Sequence, residues 1–119
     1  SDLNDSLFKS DHKIKESRLQ VSVQKKEEEL KKQQLQMDIY NAILRHKEAL
    51  QQADAWKLSV RQAQENYRIM QNRYMNQLAI LTDLLDANSA LLNAELQLTA
   101  SRTRIIYTYY QLQKVCGRL

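Results

Sequence analysis

The stretch NRYMNQLAILTDLLDANSALL, residues 72–92, decides the fold, because a regular apolar repeat runs on either side of it and changes phase within it. No Lys or Arg occurs in residues 75–101, and Asp83 and Asp86 stand three positions apart among leucines. Any structure of this stretch must therefore explain how the chain changes direction without Gly or Pro, and why two acids lie in apolar surroundings.

The composition predicts a protein made almost entirely of a few long helices. The 119 residues contain no Pro, and Gly117 is the one Gly. Turns normally draw on both residue types, and Gln, Leu, Ala, Lys and Glu dominate the chain, as in long helices and coiled coils. One Phe and one Trp are too few for a thick globular core.

Charged and metal-binding residue types exclude several classes of function. The net charge of +4 is interleaved along the chain rather than clustered on one face, so nucleic-acid binding is not expected. Cys116 is alone and is interpreted as a packing residue, and His12 and His46 are isolated in sequence. No phosphate-binding loop or catalytic constellation is visible. We therefore predict no enzyme activity, no cofactor and no metal site.

The first apolar repeat predicts a long helix over residues 11–75. Ser10 or Asp11 is the predicted N-cap, and residues 1–10 are predicted to be irregular. The repeat alternates steps of four and three residues, and eleven of its twelve members are apolar or aromatic: Leu35, Ile39, Ala42, His46, Ala49, Ala53, Trp56, Val60, Ala63, Tyr67, Met70 and Tyr74.

A second repeat predicts a shorter helix over residues 83–117, with Gly117 as its stop. Large and small residues alternate along it, and small residues let two helices approach closely. Two such repeats of equal period indicate one all-α domain, an antiparallel coiled-coil hairpin. The repeat consists of Leu84, Ala87, Leu91, Ala94, Leu98, Ser101, Ile105, Thr108, Leu112 and Val115.

The two repeats are out of phase, and the change lies within residues 75–82. Thr82 is the predicted N-cap of the second helix, which sets Asp83 and Asp86 in its first turn, where the helix dipole favours acids. We therefore predict a turn over residues 76–82, although the residue types also allow one unbroken helix.

The predicted helices differ in length, about 95 Å for residues 11–74 and about 54 Å for residues 82–117. The shorter helix covers about half of the longer one. Residues 13–36 still carry an apolar line that includes Ile14, Val21 and Leu30. Another copy of the chain, or a part of the same protein missing from this sequence, is expected to cover it.

Several segments resemble the C-terminal part of TolC-type outer membrane efflux proteins. The most specific match combines Arg73-Tyr74 with the run TDLLDA at residues 82–87, within QAQENYRIMQNRYMNQLAILTDLLDANSALLNAELQLTASRTRIIYTYYQLQKVCG at residues 62–117. Residues 13–53 resemble the long helix that leads into this segment. The sequence SLF at residues 6–8 stands where the family leaves its last barrel strand.

The resemblance implies a fragment of a larger homotrimeric channel of the outer membrane. Its barrel strands and first repeat would be missing from this chain, and residues 1–10 would follow the last strand. Residues 11–117 would belong to a trimeric α-helical barrel in the periplasm. The implied function is a passive conduit for small molecules or proteins, working with a periplasmic adaptor protein and an inner-membrane pump.

The resemblance also assigns site residues. The turn corresponds to the periplasmic tip that meets the adaptor, and Asp83 and Asp86 match acids that line the closed mouth of the channel. The chain has Gln77 where the family usually has Gly. It has Ala79 where a basic residue helps to lock the mouth, which leaves closed-state packing to Tyr74. The tip comprises Asn76, Gln77, Leu78, Ala79, Ile80, Leu81 and Thr82.

Alternatives remain open from the sequence, both for the site residues and for the whole chain. Asp83 and Asp86 are also explained as acids at a helix start, and residues 76–82 as a plain turn with apolar packing. The whole chain is also compatible with a coiled-coil scaffold or dimerisation module without a pore. An adaptor protein is a third alternative, but its shorter hairpin is normally flanked by lipoyl-like strands, which this chain does not show.

Overall fold

The computed structural model describes all residues, 1–119, and contains two α-helices and no strand. Helix α1 spans Asp2–Met75 and helix α2 spans Leu81–Cys116, with 74 and 36 residues. The predicted all-α hairpin with helices of unequal length is confirmed. Residues 1–38 and 39–119 form two separate units. Neither helix contains a segment that is both long and apolar enough to cross a membrane.

The two predicted apolar repeats come together in the unit of residues 39–119. Every α2 repeat position is buried or half-buried, and so is every α1 position from Ile39 to Met70, whereas Tyr74 is exposed. The most deeply buried members are small: only 1% of Ala49 and 2% of Ala53 is exposed. Small side chains at these positions allow the helix backbones to approach closely, as the repeat predicted.

One hydrogen bond defines how α1 and α2 are aligned. Nδ1 of His46 and Oγ1 of Thr108 lie 2.9 Å apart. The Thr108 hydroxyl lies 2.9 Å from the Arg104 carbonyl oxygen. When it donates to that oxygen, it accepts from His46 in the tautomer that carries the proton on Nδ1. His46 is thus a packed residue of the seam, and its Nδ1 has a hydrogen-bond partner in Thr108.

Counting outward from this bond in heptads sets large residues of one helix against small residues of the other. Ala49 then faces Ile105, and Val60 faces Ala94. Several layers depart from this rule. Trp56 faces Leu98 with two large side chains, whereas Ala53 faces Ser101 and both side chains are small. The hairpin has an open groove beside Ser101, lined among others by Trp56, Arg104 and Tyr107. This location is expected, since a layer of two small residues fills less of the space between the helices.

The start of α1 differs from the prediction. Residues 2–10 are helical rather than irregular, so neither Ser10 nor Asp11 is an N-cap. The amide N–H of Asp5 donates to the carbonyl oxygen of Ser1 at 3.2 Å, which is the first helical bond. Asp2 and Asp5 lie in the first turn, where the helix dipole favours acids. Nothing in these residues opposes helix, and the absence of Gly and Pro outweighed the local capping signal.

The boundaries of α2 also differ from the prediction. Helix α2 begins at Leu81, so the turn comprises residues 76–80 and Thr82 lies inside the helix rather than capping it. The N-cap is Ile80. At the other end α2 stops at Cys116, and Gly117 is the C-cap, with its N–H donating to the Gln113 carbonyl oxygen at 2.9 Å.

Residues 1–38 form a single helical unit whose side chains are almost all exposed. Leu35 and Asp38 alone are half-buried. Two exposed ion pairs run along its surface, Lys15 with Asp11 at 3.3 Å and Lys26 with Glu29 at 3.8 Å. Such pairs add only tenths of a kcal/mol each to helix stability.

Candidate functional site at the hairpin turn

Helix α1 ends in a Schellman motif. The N–H of Leu78 donates to the Arg73 carbonyl oxygen at 2.7 Å, and the N–H of Gln77 donates to the Tyr74 carbonyl oxygen at 3.1 Å. These are the two bonds that define the motif, and they satisfy carbonyl groups that the helix leaves without a partner. The side chain of Asn76 adds a bond from Nδ2 to the Asn72 carbonyl oxygen at 2.9 Å.

The motif requires a left-handed residue, and Gln77 occupies that position with φ of 59°. It is the one non-glycine residue of the chain with positive φ. Glycine adopts this conformation without steric cost, whereas other L-residues lose about 1 kcal/mol there. The Gln77 backbone thus has the geometry for which glycine is usual, and the side chain makes that geometry more costly.

We expect Gln77→Gly to raise the free energy of unfolding by about 1 kcal/mol, because it removes the left-handed strain without breaking a side-chain contact. The matched control is Gln71→Gly, an exposed Gln inside α1, which should lower the free energy of unfolding by about 1 kcal/mol. Urea unfolding followed by circular dichroism measures both values. Equal effects of the same sign would contradict the assignment of strain to Gln77.

Helix α2 begins without a conventional side-chain cap. Ile80 is extended, with φ of −92° and ψ of 162°, and its side chain has no oxygen to accept the orphan N–H groups of the first turn. Only the reverse bond exists: a carboxylate oxygen of Asp83 accepts from the N–H of Ile80 at 3.4 Å. Asp83 therefore orders the turn as well as complementing the helix dipole.

The two acids differ in their place on α2. Asp83 lies in the first turn, as predicted, but Asp86 lies in the second, so its assignment to the first turn was wrong. The reason is that α2 begins at Leu81, earlier than the predicted start. Both side chains are exposed, and a spacing of three residues sets them on the same side of the helix. The dipole therefore explains Asp83 better than it explains Asp86.

The turn presents an apolar surface. The exposed fraction is 75% for Leu78 and 65% for Ile80, and the flanking Met75 and Leu81 are also exposed. Ala79 is half-buried. The polar members of the predicted tip, Asn76, Gln77 and Thr82, are exposed, and so is the ring of Tyr74, where the seam ends.

Helix α2 carries a second uncharged face, which the sequence analysis missed. With Leu84 at heptad position a and Ala87 at position d, all six charged residues of α2 lie at positions c, e and g, and positions b and f carry no charge. This outer face is defined by ten residues, of which all are exposed: Thr82, Leu85, Ser89, Leu92, Leu96, Thr99, Thr103, Ile106, Tyr110 and Gln113. A helix whose outer side faced only water would normally carry its charges there. A search of the α2 sequence for a second line of uncharged residues at seven-residue spacing would have found this outer face.

No group of three or more His, Cys, Asp or Glu side chains is arranged to hold a metal ion. Comparisons of the chain with protein-family models, curated proteins and solved structures returned no match. Function is therefore inferred from two features of the molecule, the apolar turn and the uncharged outer face of α2.

Proposed function

We propose that this chain is a helical wall segment and tip of a TolC-type outer membrane efflux or secretion channel. In this proposal the complete protein is a homotrimer anchored by barrel strands outside this sequence, and the hairpin lies in the periplasm. Its tip docks on a periplasmic adaptor that links it to an inner-membrane pump. The observation that carries the proposal is the apolar, exposed turn at residues 76–80.

The turn uses residues that do not favour its own stability. Gln77 stands where Gly would be less strained, and Ile80 stands where Ser, Thr, Asp or Asn would cap α2, each at a cost of about 1 kcal/mol. Local rules of this kind are broken mainly at functional sites. Because Leu78 and Ile80 also expose apolar side chains, a partner that buries them explains both the exposure and the residue choice.

The outer face of α2 supports a role in a curved wall of helices. At about 100° per residue, this face is centred about 150° from the seam. In a closed ring each helix touches two neighbours, and the angle between its contact faces is smaller than the 180° of a flat layer. An angle of about 150° corresponds to a ring of about twelve helices. Neighbours on both faces account for the absence of charge at positions b and f.

The proposed mechanism is passive. The adaptor would bind the apolar tip, and the energy of that contact would shift the hairpins from a closed to an open arrangement of the mouth. Because Asp83 and Asp86 follow the tip directly, three-fold symmetry would arrange each as a ring of carboxylates at that mouth. The exported molecule would pass along the lumen without being chemically changed.

We expect Leu78→Glu with Ile80→Glu, in the complete channel protein, to reduce the adaptor recovered with it on the order of tenfold, because two buried apolar contacts become charged. Purification from cells after cross-linking measures the recovery. Gln71→Glu is the matched control, since it adds a charge at an exposed residue that lies outside the tip. Unchanged recovery in the double variant would contradict the docking of the adaptor on the apolar tip. A parent protein that recovers no adaptor would favour a scaffold without a pore.

A further inference from the structure

The groove beside Ser101 is kept open by two adjacent layers of the seam. In one layer Trp56 faces Leu98, and these two large side chains hold the helices apart. In the next layer Ala53 faces Ser101, and two small side chains do not fill the space that remains between the helices. The groove has a volume of about 470 Å³, which is within the range of small-molecule sites in proteins. Because the helices cannot close this gap by moving inward, it is open to an occupant from outside the chain.

The lining of the groove combines aromatic rings with one positive charge. Trp56 is half-buried at the groove, and the ring of Tyr107 is exposed beside it. Arg104 is the one charged residue of the lining, and no acid accompanies it. Planar rings bind apolar or aromatic surfaces, and a guanidinium binds carboxylate, sulfonate and phosphate groups. The lining therefore favours a ligand that carries both an aromatic part and a negative charge.

The polar side chains of the groove have no partner within the chain. The guanidinium of Arg104 and the indole N–H of Trp56 form no hydrogen bond or ion pair with another residue, and neither do the amide groups of Gln52 and Gln97. Each of these groups can donate a hydrogen bond. An anionic ligand would accept from them without displacing a contact that the hairpin needs.

We propose that this groove binds an elongated aromatic anion, an aromatic carboxylate or sulfonate. Its ring system lies against the indole of Trp56 and covers the small side chain of Ser101, and its anionic group pairs with Arg104. The seam register sets the length of the ligand. Trp56 lies level with Leu98, six residues before Arg104, so the ring and the charge bind about 9 Å apart along the helix axis.

The groove opens on a side of α2 that the proposed ring of helices leaves free. Gln97 and Arg104 are at heptad position g, and Ala100 and Tyr107 are at position c. The seam uses positions a and d, and the outer face uses positions b and f. A ligand in the groove therefore requires no rearrangement of the proposed wall. The inference concerns the hairpin alone and does not rest on the proposed channel function.

Titration of the 119-residue chain with β-naphthalenesulfonate tests the proposal. Trp56 is the one Trp of the chain, so heteronuclear NMR shows a single indole N–H signal, located in the groove. We expect this signal to shift saturably, with a dissociation constant on the order of 1 mM or below. Arg104→Gln should weaken binding about fivefold, which is the effect of losing one exposed ion pair. The uncharged β-naphthalenesulfonamide should bind the parent about fivefold more weakly and should not respond to Arg104→Gln.

The matched control is Arg102→Gln, which removes the same charge from an exposed residue of α2 outside the groove; this variant should bind the sulfonate as the parent does. Ser101→Leu extends a side chain into the groove and should weaken binding of both probes about tenfold. Circular dichroism checks that all variants remain helical.

Four results would overturn the proposal. An indole signal that does not shift saturably up to about 10 mM sulfonate would show that the groove takes no such ligand. Equal weakening by Arg102→Gln and Arg104→Gln would assign the attraction to the general positive charge of the chain. Equal affinity for sulfonate and sulfonamide would exclude the anion as the preferred class. Undiminished binding to a helical Ser101→Leu variant would assign the ligand to another surface.

Discussion

Replacing Ala49 with Leu is expected to lower the free energy of unfolding of the hairpin by about 2–3 kcal/mol. Ala49 is 1% exposed, and the register defined by the His46–Thr108 bond sets it against Ile105, a large residue. Three additional carbon atoms have no space in this layer. The helices must separate or the side chains must leave their preferred rotamers, and both outcomes cost free energy.

Two further variants make this prediction specific to the layer. Ala53→Leu is expected to cost about 1 kcal/mol less than Ala49→Leu, because Ala53 faces Ser101 and an open groove lies beside that layer. Ala55→Leu is the control, since Ala55 is exposed and a surface change of this kind stays within about 0.5 kcal/mol.

Urea unfolding of these variants can be followed through Trp56, the one Trp of the chain, which is half-buried in the seam. The order of cost should be Ala49, then Ala53, then Ala55. If Ala49→Leu and Ala53→Leu cost the same, the alternation of large and small residues across the seam does not determine the packing of the layers.

Replacing both Asp83 and Asp86 with Ala is expected to raise the concentration of multivalent cation that half-blocks the complete channel on the order of a hundredfold. In the proposed trimer the two acids form two rings of carboxylates near the tip, and such rings attract cations. No Lys or Arg in residues 75–101 offsets them. Planar-bilayer recordings of single channels measure the block directly.

The same double variant should remain folded. Asp83 contributes the dipole interaction and the bond to the Ile80 N–H, together about 1 kcal/mol, and Asp86 contributes less because it lies one turn further along α2. Glu95→Ala is the matched control, an exposed α2 acid three turns from the tip, and it should leave the block unchanged. If the double variant is blocked like the parent, both acids serve only the start of the helix.

The position of the turn could be predicted from the sequence because the cause is local. The two apolar repeats are out of phase, and only a break between them lets both face one seam. The choice of small residues at Ala49 and Ala94, and the unequal helix lengths, follow from the same periodicity. The backbone geometry at position 77 could not be predicted in this way, because Gln rarely adopts the left-handed conformation that Gln77 has.

Tertiary structure alone decided two other features. Ile80, rather than Thr82, is the N-cap of α2. The Schellman motif fixes the residue at which α1 ends. The chain must then begin α2 at Leu81 for the buried faces of the two helices to meet. The pairing of His46 with Thr108 required the register between residues 62 positions apart. Heptad periodicity states which face of a helix is buried, whereas register depends on the length and geometry of the turn, which no single-helix pattern contains.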